Sequence, residues 1–452
     1  MDQSPVATTV PEAEARLFTP AFIALSLAEF AYFTAAGLEI SLVPLFAAGP
    51  LGGGEVGAGV AVGALSLTAL FLRPLAGRTA DRRGRRRLLI GGALLYAAAT
   101  AAHAVAPNLG VLIGLRLVLG VAEAFFFVAG FATLADLAPP TRTGEALSIN
   151  SLSLYLGIAV GPLIGQALLG LGGFALGWLG AAALALLAAI LATRIPETGQ
   201  RVSSDAPVAP LIHRGAIGPG LALLSGIGAM AGFFTFVALH AQAIGFREWS
   251  LVLLEFGLIV VAARVVFAKL PDRVPPFRLG AGALALTGIG MATVALVPSV
   301  VGLFVGAGIM AGGVAFTTPA FFSAVMRRTA PTERGAAMGT MTVAIDLAFG
   351  AGPMLLGFVA AAGGIPAAFL AGAGLAGVGA AATTLAARRR AARPTTQPVL
   401  TGEESPSTGP GTRTGTVPRS SVSRTTAMLD SASLSSAVLP LASSGWTPDR
   451  HA

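Results

Sequence analysis

Residues 73–86 read RPLAGRTADRRGRR, and residues 264–273 read RVVFAKLPDR. In both segments an arginine is followed eight residues later by an Asp-Arg pair, and the two copies are 191 residues apart. The same offset, without gaps, aligns three further sites: Pro140-Thr141 with Pro331-Thr332, Gly144 with Gly335, and Gly161-Pro162 with Gly352-Pro353. A fixed offset that joins four separate sites predicts a chain built from two equivalent halves.

The composition indicates an integral membrane protein. Of the 452 residues, 54% are hydrophobic and only 11% are charged, and the mean hydropathy is +0.79. Soluble domains carry roughly a quarter charged residues, whereas a bilayer accepts apolar surface on every side. The chain contains no cysteine, which excludes disulfides and thiolate metal sites. No basic segment precedes the first apolar stretch, so no cleavable signal peptide is expected.

Twelve apolar stretches are each long enough to cross ~30 Å of hydrocarbon at ~1.5 Å per residue. We number them as spans 1–12, and they cover residues 18–46, 55–76, 88–106, 109–136, 145–171, 173–193, 216–243, 248–268, 277–297, 299–326, 336–361 and 366–387. Together with the repeat, they predict an all-α membrane protein with 12 transmembrane helices in two six-helix bundles related by pseudo-two-fold symmetry.

The polar interruptions predict the domain boundaries. The predicted segments are a cytoplasmic N-terminus (1–17), an N-terminal bundle (18–193), a cytoplasmic linker (194–215), a C-terminal bundle (216–387) and a cytoplasmic tail (388–452). The tail is rich in Ser, Thr, Pro and Gly, a composition that predicts disorder.

Basic residues predict the orientation in the membrane. They cluster in the loops that follow even-numbered spans, while the opposite loops contain only Arg247. The positive-inside rule therefore places both termini in the cytoplasm, with the protein in the cytoplasmic membrane. This placement also accounts for the net charge of +8 without a nucleic-acid partner.

The loop between spans 2 and 3 resembles a motif of the major facilitator superfamily, roughly G-x-L-A-D-R-x-G-R-R. It reads GRTADRRGRR from Gly77 to Arg86, with Thr79 in place of the usual aliphatic residue. The resemblance covers residues 18–387, and it implies that superfamily's fold and a cytoplasmic latch that holds the outward-facing state. In this latch Asp81 would cap a facing helix, and arginines would pair with carboxylates such as Asp136.

The residues of the predicted latch come from both halves. They are Arg73, Gly77, Asp81, Arg82, Gly84, Arg85, Arg86 and Asp136 in the first half, and Arg264, Asp272 and Arg273 in the second. The second copy has Ala268 in place of the motif glycine, which predicts a weaker latch there. A basic loop that serves only to set topology is the alternative.

Span 5 contains GIAVGPLIGQ, in which Gly157, Gly161 and Gly165 recur every four residues and Pro162 predicts a kink. This pattern resembles the motif of the drug:proton antiporter branch of the superfamily. The equivalent positions of the second half are Ala348, Gly352 and Leu356, so only the first half has all three glycines. Export is therefore favoured over import, with ordinary close helix packing as the alternative.

Ionisable residues near the middle of the spans are candidates for proton coupling, because they are costly there without a function. Span 4 resembles the superfamily's R-x-x-x-G motif at Arg116, and Glu123 lies seven residues further on the same helix face. We predict Glu123 and Glu29 as the proton-titrating pair, with Arg116 as their counter-charge. Asp346 is predicted to bind substrate or protons, and Glu255 is a further candidate. Hydrogen-bonded packing is the alternative for each acid, most of all for Glu255.

Motif searches favour a transporter over an enzyme. The sequence has no HExxH, GxSxG or Walker lysine motif, and its four histidines are scattered. We therefore expect no cofactor and no metal site, with a proton gradient as the energy source. The expected partners are a small-molecule substrate, protons and the lipid bilayer, and the chain is expected to act as a monomer.

Three functional hypotheses follow. The leading one is proton-coupled efflux of a drug, natural product or metabolite by alternating access. The second is a proton symporter or uniporter that imports a nutrient. The third is a membrane sensor or scaffold that does not transport and signals through its tail.

Overall fold

The computed structural model describes residues 17–139, 142–198, 212–330 and 333–391. The predicted N-terminal segment, most of the linker and nearly all of the tail lie outside these ranges. So do the repeat matches at residues 140–141 and 331–332, and the side chain of Asp272.

Within these ranges the secondary structure is helical. The α-helices are α1 (Pro20–Ala48), α2 (Gly54–Arg83), α3 (Arg85–Ala102), α4 (Leu109–Leu137), α5 (Thr143–Ala192), α6 (Arg214–Ala243), α7 (Trp249–Val266), α8 (Leu270–Arg273), α9 (Pro276–Leu296), α10 (Val300–Met326), α11 (Arg334–Gly363) and α12 (Ile365–Ala391). Eleven of them, all except the short α8, are long and apolar enough to cross a membrane. The predicted all-α membrane fold is confirmed.

One helix, α5, accounts for the difference between eleven helices and twelve predicted spans. Its 50 residues would extend about 75 Å at ~1.5 Å per residue, more than twice the thickness of the hydrocarbon core. The backbone leaves helical geometry at Gly172 and Gly173, and Gly173 has a φ of 67°, which favours glycine. Spans 5 and 6 were predicted to meet at this point, so α5 contains both.

Two clusters of buried apolar side chains form the core. One extends from Leu17 to Ile195. The other extends from Ala216 to Ala376 and includes Leu45 and Ala58 of the first half. Between the halves, the most extensive contacts are those of α2 with α11 and of α5 with α7.

Glycines bring α1 against α5. A Cβ atom on Gly161 would lie 2.6 Å from the Cα of Gly37, and one on Gly157 would lie 2.8 Å from the backbone nitrogen of Thr34. The second half repeats this contact between α6 and α11, where a Cβ on Gly352 would lie 3.1 Å from the Cα of Gly228. Gly228 follows Gly37 by the same 191 residues. The span 5 glycines therefore serve close helix packing, whatever further role they have.

We expect Gly161→Ala to destabilise the protein by about 1–3 kcal/mol, because the added methyl group has no space between α1 and α5. Thermal unfolding in detergent measures this change. Gly114→Ala is the matched control, since a Cβ at this α4 glycine meets no heavy atom within 4 Å. Equal melting temperatures for the two variants would contradict the predicted packing.

Candidate functional site

The contacts between the halves are tight at one end of the bundle. A Cβ on Gly357 would lie 2.8 Å from the carbonyl oxygen of Glu55, and one on Gly59 would overlap the carbonyl oxygen of Pro353. Between α5 and α7, the backbone N–H of Ser250 donates to Gln166 Oε1 at 3.0 Å. We call this the closed end; it lies where α1 ends and α2 begins.

At the other end, the glycines of α2 and α11 have no close neighbours from the opposite half. A Cβ on Gly77 of α2, or on Gly335 or Gly339 of α11, would meet no heavy atom within 4 Å. We call this the open end; it lies where α2 ends and α11 begins. Most basic loop residues of the chain belong to this end, including Arg82 and Arg83 in the last turn of α2.

A charged cluster joins the halves between these two ends. The guanidinium of Arg73 on α2 donates two hydrogen bonds to Asp346 on α11, Nε to Oδ2 at 2.5 Å and Nη2 to Oδ1 at 2.7 Å. Its Nη2 also lies 3.8 Å from Glu123 Oε1 on α4, and its Cζ is 4.4 Å from the centre of the Phe127 ring. One arginine of the first half is thus shared between two carboxylates, one from each half.

The three charged residues of this cluster differ in exposure. The side chain of Asp346 is 5% exposed, that of Arg73 14% and that of Glu123 25%. When both carboxylates are ionised the cluster has a net charge of −1, so one proton or one substrate cation would neutralise it. Glu123 is the member that such a charge reaches most easily, because it is the most exposed and its ion pair is the longer one.

Arg116 lies elsewhere, which corrects its predicted position beside Glu123. It forms an ion pair with Glu39, and its Nε donates to the carbonyl oxygen of Ala61 at 3.0 Å. Glu39 also accepts a hydrogen bond of 2.7 Å from Thr100 Oγ1. The guanidinium of Arg116 thus contacts α1 and α2 rather than the neighbouring turn of its own helix. The counter-charge that adjoins Glu123 is Arg73.

Two other predicted residues also lie outside the cluster. Glu29 is buried and hydrogen-bonded to Asn150 of α5, and its Oε2 has no hydrogen-bond partner in the part of the chain that the structure describes. Glu255 lines a groove of about 520 Å³ beside Leu251, Leu258 and Phe304. The structure therefore brings together Glu123 and Asp346, and it leaves Glu29 and Glu255 apart from them.

Only part of the predicted latch is engaged. Arg85 forms an ion pair with Asp136 and donates from Nη1 to the carbonyl oxygen of Ala132 at 2.7 Å. The backbone N–H of Arg85 also donates to Glu197 Oε1 at 2.6 Å. All these contacts lie within the first half, so the Gly84–Arg86 segment is anchored there.

Other residues of the predicted latch are free or lie deeper. Asp81, Arg82 and Arg273 are exposed, and the described residues offer Asp81 no hydrogen bond or ion pair. Arg73 and Arg264 do not belong to the loops at all. Arg73 lies about 12 Å along α2 from Asp81, where it contacts the opposite half. Both arginines were predicted as part of the cytoplasmic latch, together with the Asp-Arg pair that follows each of them. The structure places them deeper along their helices, where each contacts the opposite half.

Comparison with known proteins agrees with this architecture. The family model described as Major Facilitator Superfamily matches residues 25–326 and 256–447. An MFS-type transporter of Salmonella typhimurium is 30% identical over 341 residues, which cover 72% of this chain and 86% of the relative. An MFS-type transporter of Burkholderia mallei is 30% identical over 362 residues, which cover 76% of this chain and 86% of the relative.

The fold and the sequence together define a multi-pass membrane transporter rather than an enzyme. The chain belongs to the Major Facilitator Superfamily.

Solved transporters share the fold at low sequence identity. A bacterial homologue of the human lysosomal transporter Spinster, in an inward-facing and unoccupied conformation, has a TM-score of 0.69 and 16% identity over 83% of this chain and 98% of its own. The nucleoside transporter NupG has a TM-score of 0.66 and 15% identity, and the match covers 81% of this chain and 99% of NupG. The human organic anion transporter MFSD10 has a TM-score of 0.63 and 18% identity, and the match covers 80% of this chain and 99% of MFSD10.

We expect Glu39→Leu to cost about 3–5 kcal/mol of stability, because it leaves Arg116 buried without its carboxylate. The double variant Glu39→Leu/Arg116→Met should recover most of this loss, since an apolar pair of similar volume needs no counter-charge. Thermal unfolding of the purified protein measures both changes.

The control for this pair is Glu145→Gln, which removes the carboxylate from the exposed ion pair with Arg142 and should leave the melting temperature unchanged. If Glu39→Leu melts like Glu145→Gln, the Glu39–Arg116 pair does not hold α1 against α4.

Proposed function

We propose that this transporter is a proton-coupled antiporter that exports a small molecule, such as a drug, natural product or metabolite, by alternating access. The observation that carries the proposal is the sharing of Arg73 between Glu123 and Asp346. Such a cluster can hold one additional positive charge, and its two acids belong to the two halves that move in alternating access.

Protonation of Glu123 supplies a physical link between the proton and the conformation. Two unit charges about 4 Å apart attract each other by about 4 kcal/mol at an effective dielectric constant of about 20. A proton on Glu123 removes this attraction, so that Arg73 is then attracted by Asp346 only. The electrostatic attraction that Arg73 feels towards α4, relative to that towards α11, therefore changes each time a proton binds to or leaves Glu123.

The open end is the cytoplasmic end in this proposal, since it has the basic loops. The conformation described then faces the cytoplasm, with both termini on that side of the cytoplasmic membrane. Asp81 is exposed here, and Glu333 at the N-cap of α11 makes no side-chain hydrogen bond to the helix. When the open end closes, Asp81 would reach the free N–H groups of α11 and complete the latch.

The remaining elements of the proposal follow from the sequence. The moving units are the bundles 18–193 and 216–387, and a single chain forms the whole transport path without a cofactor. The glycine stripe at Gly157, Gly161 and Gly165, present in full only in the first half, supports export and the resemblance to the antiporter branch. Glu29 is a second site for a proton, through its buried Oε2, which has no hydrogen-bond partner among the described residues.

The direct test of the proposal is reconstitution into liposomes with an imposed pH gradient. Dyes, antibiotics, amino acids and sugars are screened as substrates while a pH-sensitive fluorophore records the internal pH. Antiport predicts that substrate and protons move in opposite directions, and liposomes without protein control for leakage. Movement of both in the same direction would establish symport, and a substrate gradient without proton movement would establish uniport.

A variant truncated after residue 394 tests in the same assay whether transport needs the tail. We expect it to transport at the full rate, because the charged cluster and both halves are retained. Failure of both the full chain and the truncated chain to transport any screened substrate would favour the scaffold hypothesis.

We expect Glu123→Gln to abolish proton-driven transport while substrate counterflow continues, because counterflow needs the alternation of the halves but no proton. Glu255→Gln is the matched control, since this acid lies in the groove beside Phe304 and outside the cluster. Proton-driven transport by Glu123→Gln at the parental rate would remove Glu123 from the coupling mechanism.

A further inference from the structure

A second arginine joins the halves at the position related to Arg73 by the repeat. Arg264 follows Arg73 by 191 residues, and Tyr155 precedes Asp346 by the same number. Arg264 Nη2 donates to the hydroxyl of Tyr155 at 2.7 Å, and its Cζ lies 4.2 Å from the centre of the tyrosine ring. The fold thus contains the same inter-half contact twice, once with an aspartate and once with a tyrosine.

Both contacts lie at the same depth. Tyr155 is twelve residues from the start of α5, and Asp346 is twelve residues from the start of α11, which corresponds to about 18 Å of helix in each case. Arg264 is therefore as remote from the open end as Arg73 is, and an ionisable side chain at such a depth needs a partner.

The partner of Arg264 differs from that of Arg73. Among the described residues no carboxylate lies within 4 Å of Arg264, and the position equivalent to Glu123 is Val314. The Nε atom of Arg264 is buried and has no hydrogen-bond partner there. Within the described part of the chain, Arg264 thus keeps an uncompensated positive charge and an unused Nε–H donor. At the equivalent contact, the Nε of Arg73 is bonded to Asp346.

The chemistry of this contact selects an anion. The Nε and Nη groups of a guanidinium form a planar fork that donates two parallel hydrogen bonds to a carboxylate or a phosphate. The hydroxyl of Tyr155 accepts from Arg264, and its own proton can be donated to the same oxyanion. A cationic group would meet the positive charge of Arg264 here and, among the described residues, no carboxylate.

We infer that Arg264 and Tyr155 bind an anionic group, a carboxylate or a phosphate-type oxyanion, of the transported molecule. This inference rests on the proposed function and adds a substrate class to it. The acids at Arg73 then respond to the proton, and Arg264 binds the substrate. Outward movement of an anion and inward movement of a proton carry charge in the same direction, so an inside-negative membrane potential drives both.

Benzoate is a suitable probe, with benzamide and benzylammonium as its neutral and cationic counterparts of the same shape. Binding is measured from the melting temperature of the full chain in nanodiscs of phosphatidylcholine. We expect benzoate alone to stabilise the protein, and we expect Arg264→Gln to weaken its binding by about tenfold or more, the loss of a charge-assisted hydrogen bond. Tyr155→Phe keeps the ring beneath Arg264 and should weaken benzoate binding less.

Arg328→Gln is the matched control, because Arg328 also lies over an aromatic ring, that of Phe277 at 5.0 Å, but on the periphery of the second half. It should bind benzoate like the parent protein. Equal stabilisation by benzoate and benzamide would overturn the inference, and so would full benzoate binding by both Arg264→Gln and Tyr155→Phe.

An anionic lipid headgroup has the same chemistry, and a second set of nanodiscs that contains phosphatidylglycerol separates the two sources. Stabilisation by phosphatidylglycerol that requires Arg264, without any benzoate response in phosphatidylcholine, would assign the site to lipid and overturn the substrate claim. These binding measurements need no gradient. Arg264-dependent benzoate binding without proton antiport in liposomes would therefore contradict the proposed function alone.

Discussion

The shared guanidinium of Arg73 is the interaction on which the arrangement of the two halves depends. A charge within a membrane span is costly unless it is paired, and the two acids that pair with Arg73 lie on α4 and α11. These helices must therefore meet α2 at one depth. The glycines of α11 permit that approach, since Gly350 and Gly357 lie directly against α2.

Much of this fold follows from the sequence alone. The twelve apolar stretches, the 191-residue repeat and the break at Gly172–Gly173 could be read directly, because span length and glycine conformation are local properties. The pairing of Arg85 with Asp136 was also predictable, since both residues lie at the same predicted membrane surface.

The partners of the buried charges could not be predicted in the same way. Arg73 and Asp346 are 273 residues apart, and their contact depends on how the halves pack and on the direction in which each side chain leaves its helix. The face shared by Arg116 and Glu123 suggested a pair, but Arg116 pairs with Glu39 of α1 instead. Arg73 lies inside predicted span 2, eight residues before Asp81. This position was the signal that could have separated it from the loop residues of the latch.

The central claim is that the protonation of Glu123 and Asp346 controls the relative positions of the halves. The chain has no cysteine, so Arg78→Cys and Met338→Cys introduce two unique labelling sites on α2 and α11 near the open end. Double electron–electron resonance in nanodiscs then measures the distance between the two spin labels at acidic and at alkaline pH. We predict that this distance changes with pH in the parent and becomes independent of pH when Glu123→Gln and Asp346→Asn are added. The same pH response in the neutralised variant would contradict the claim.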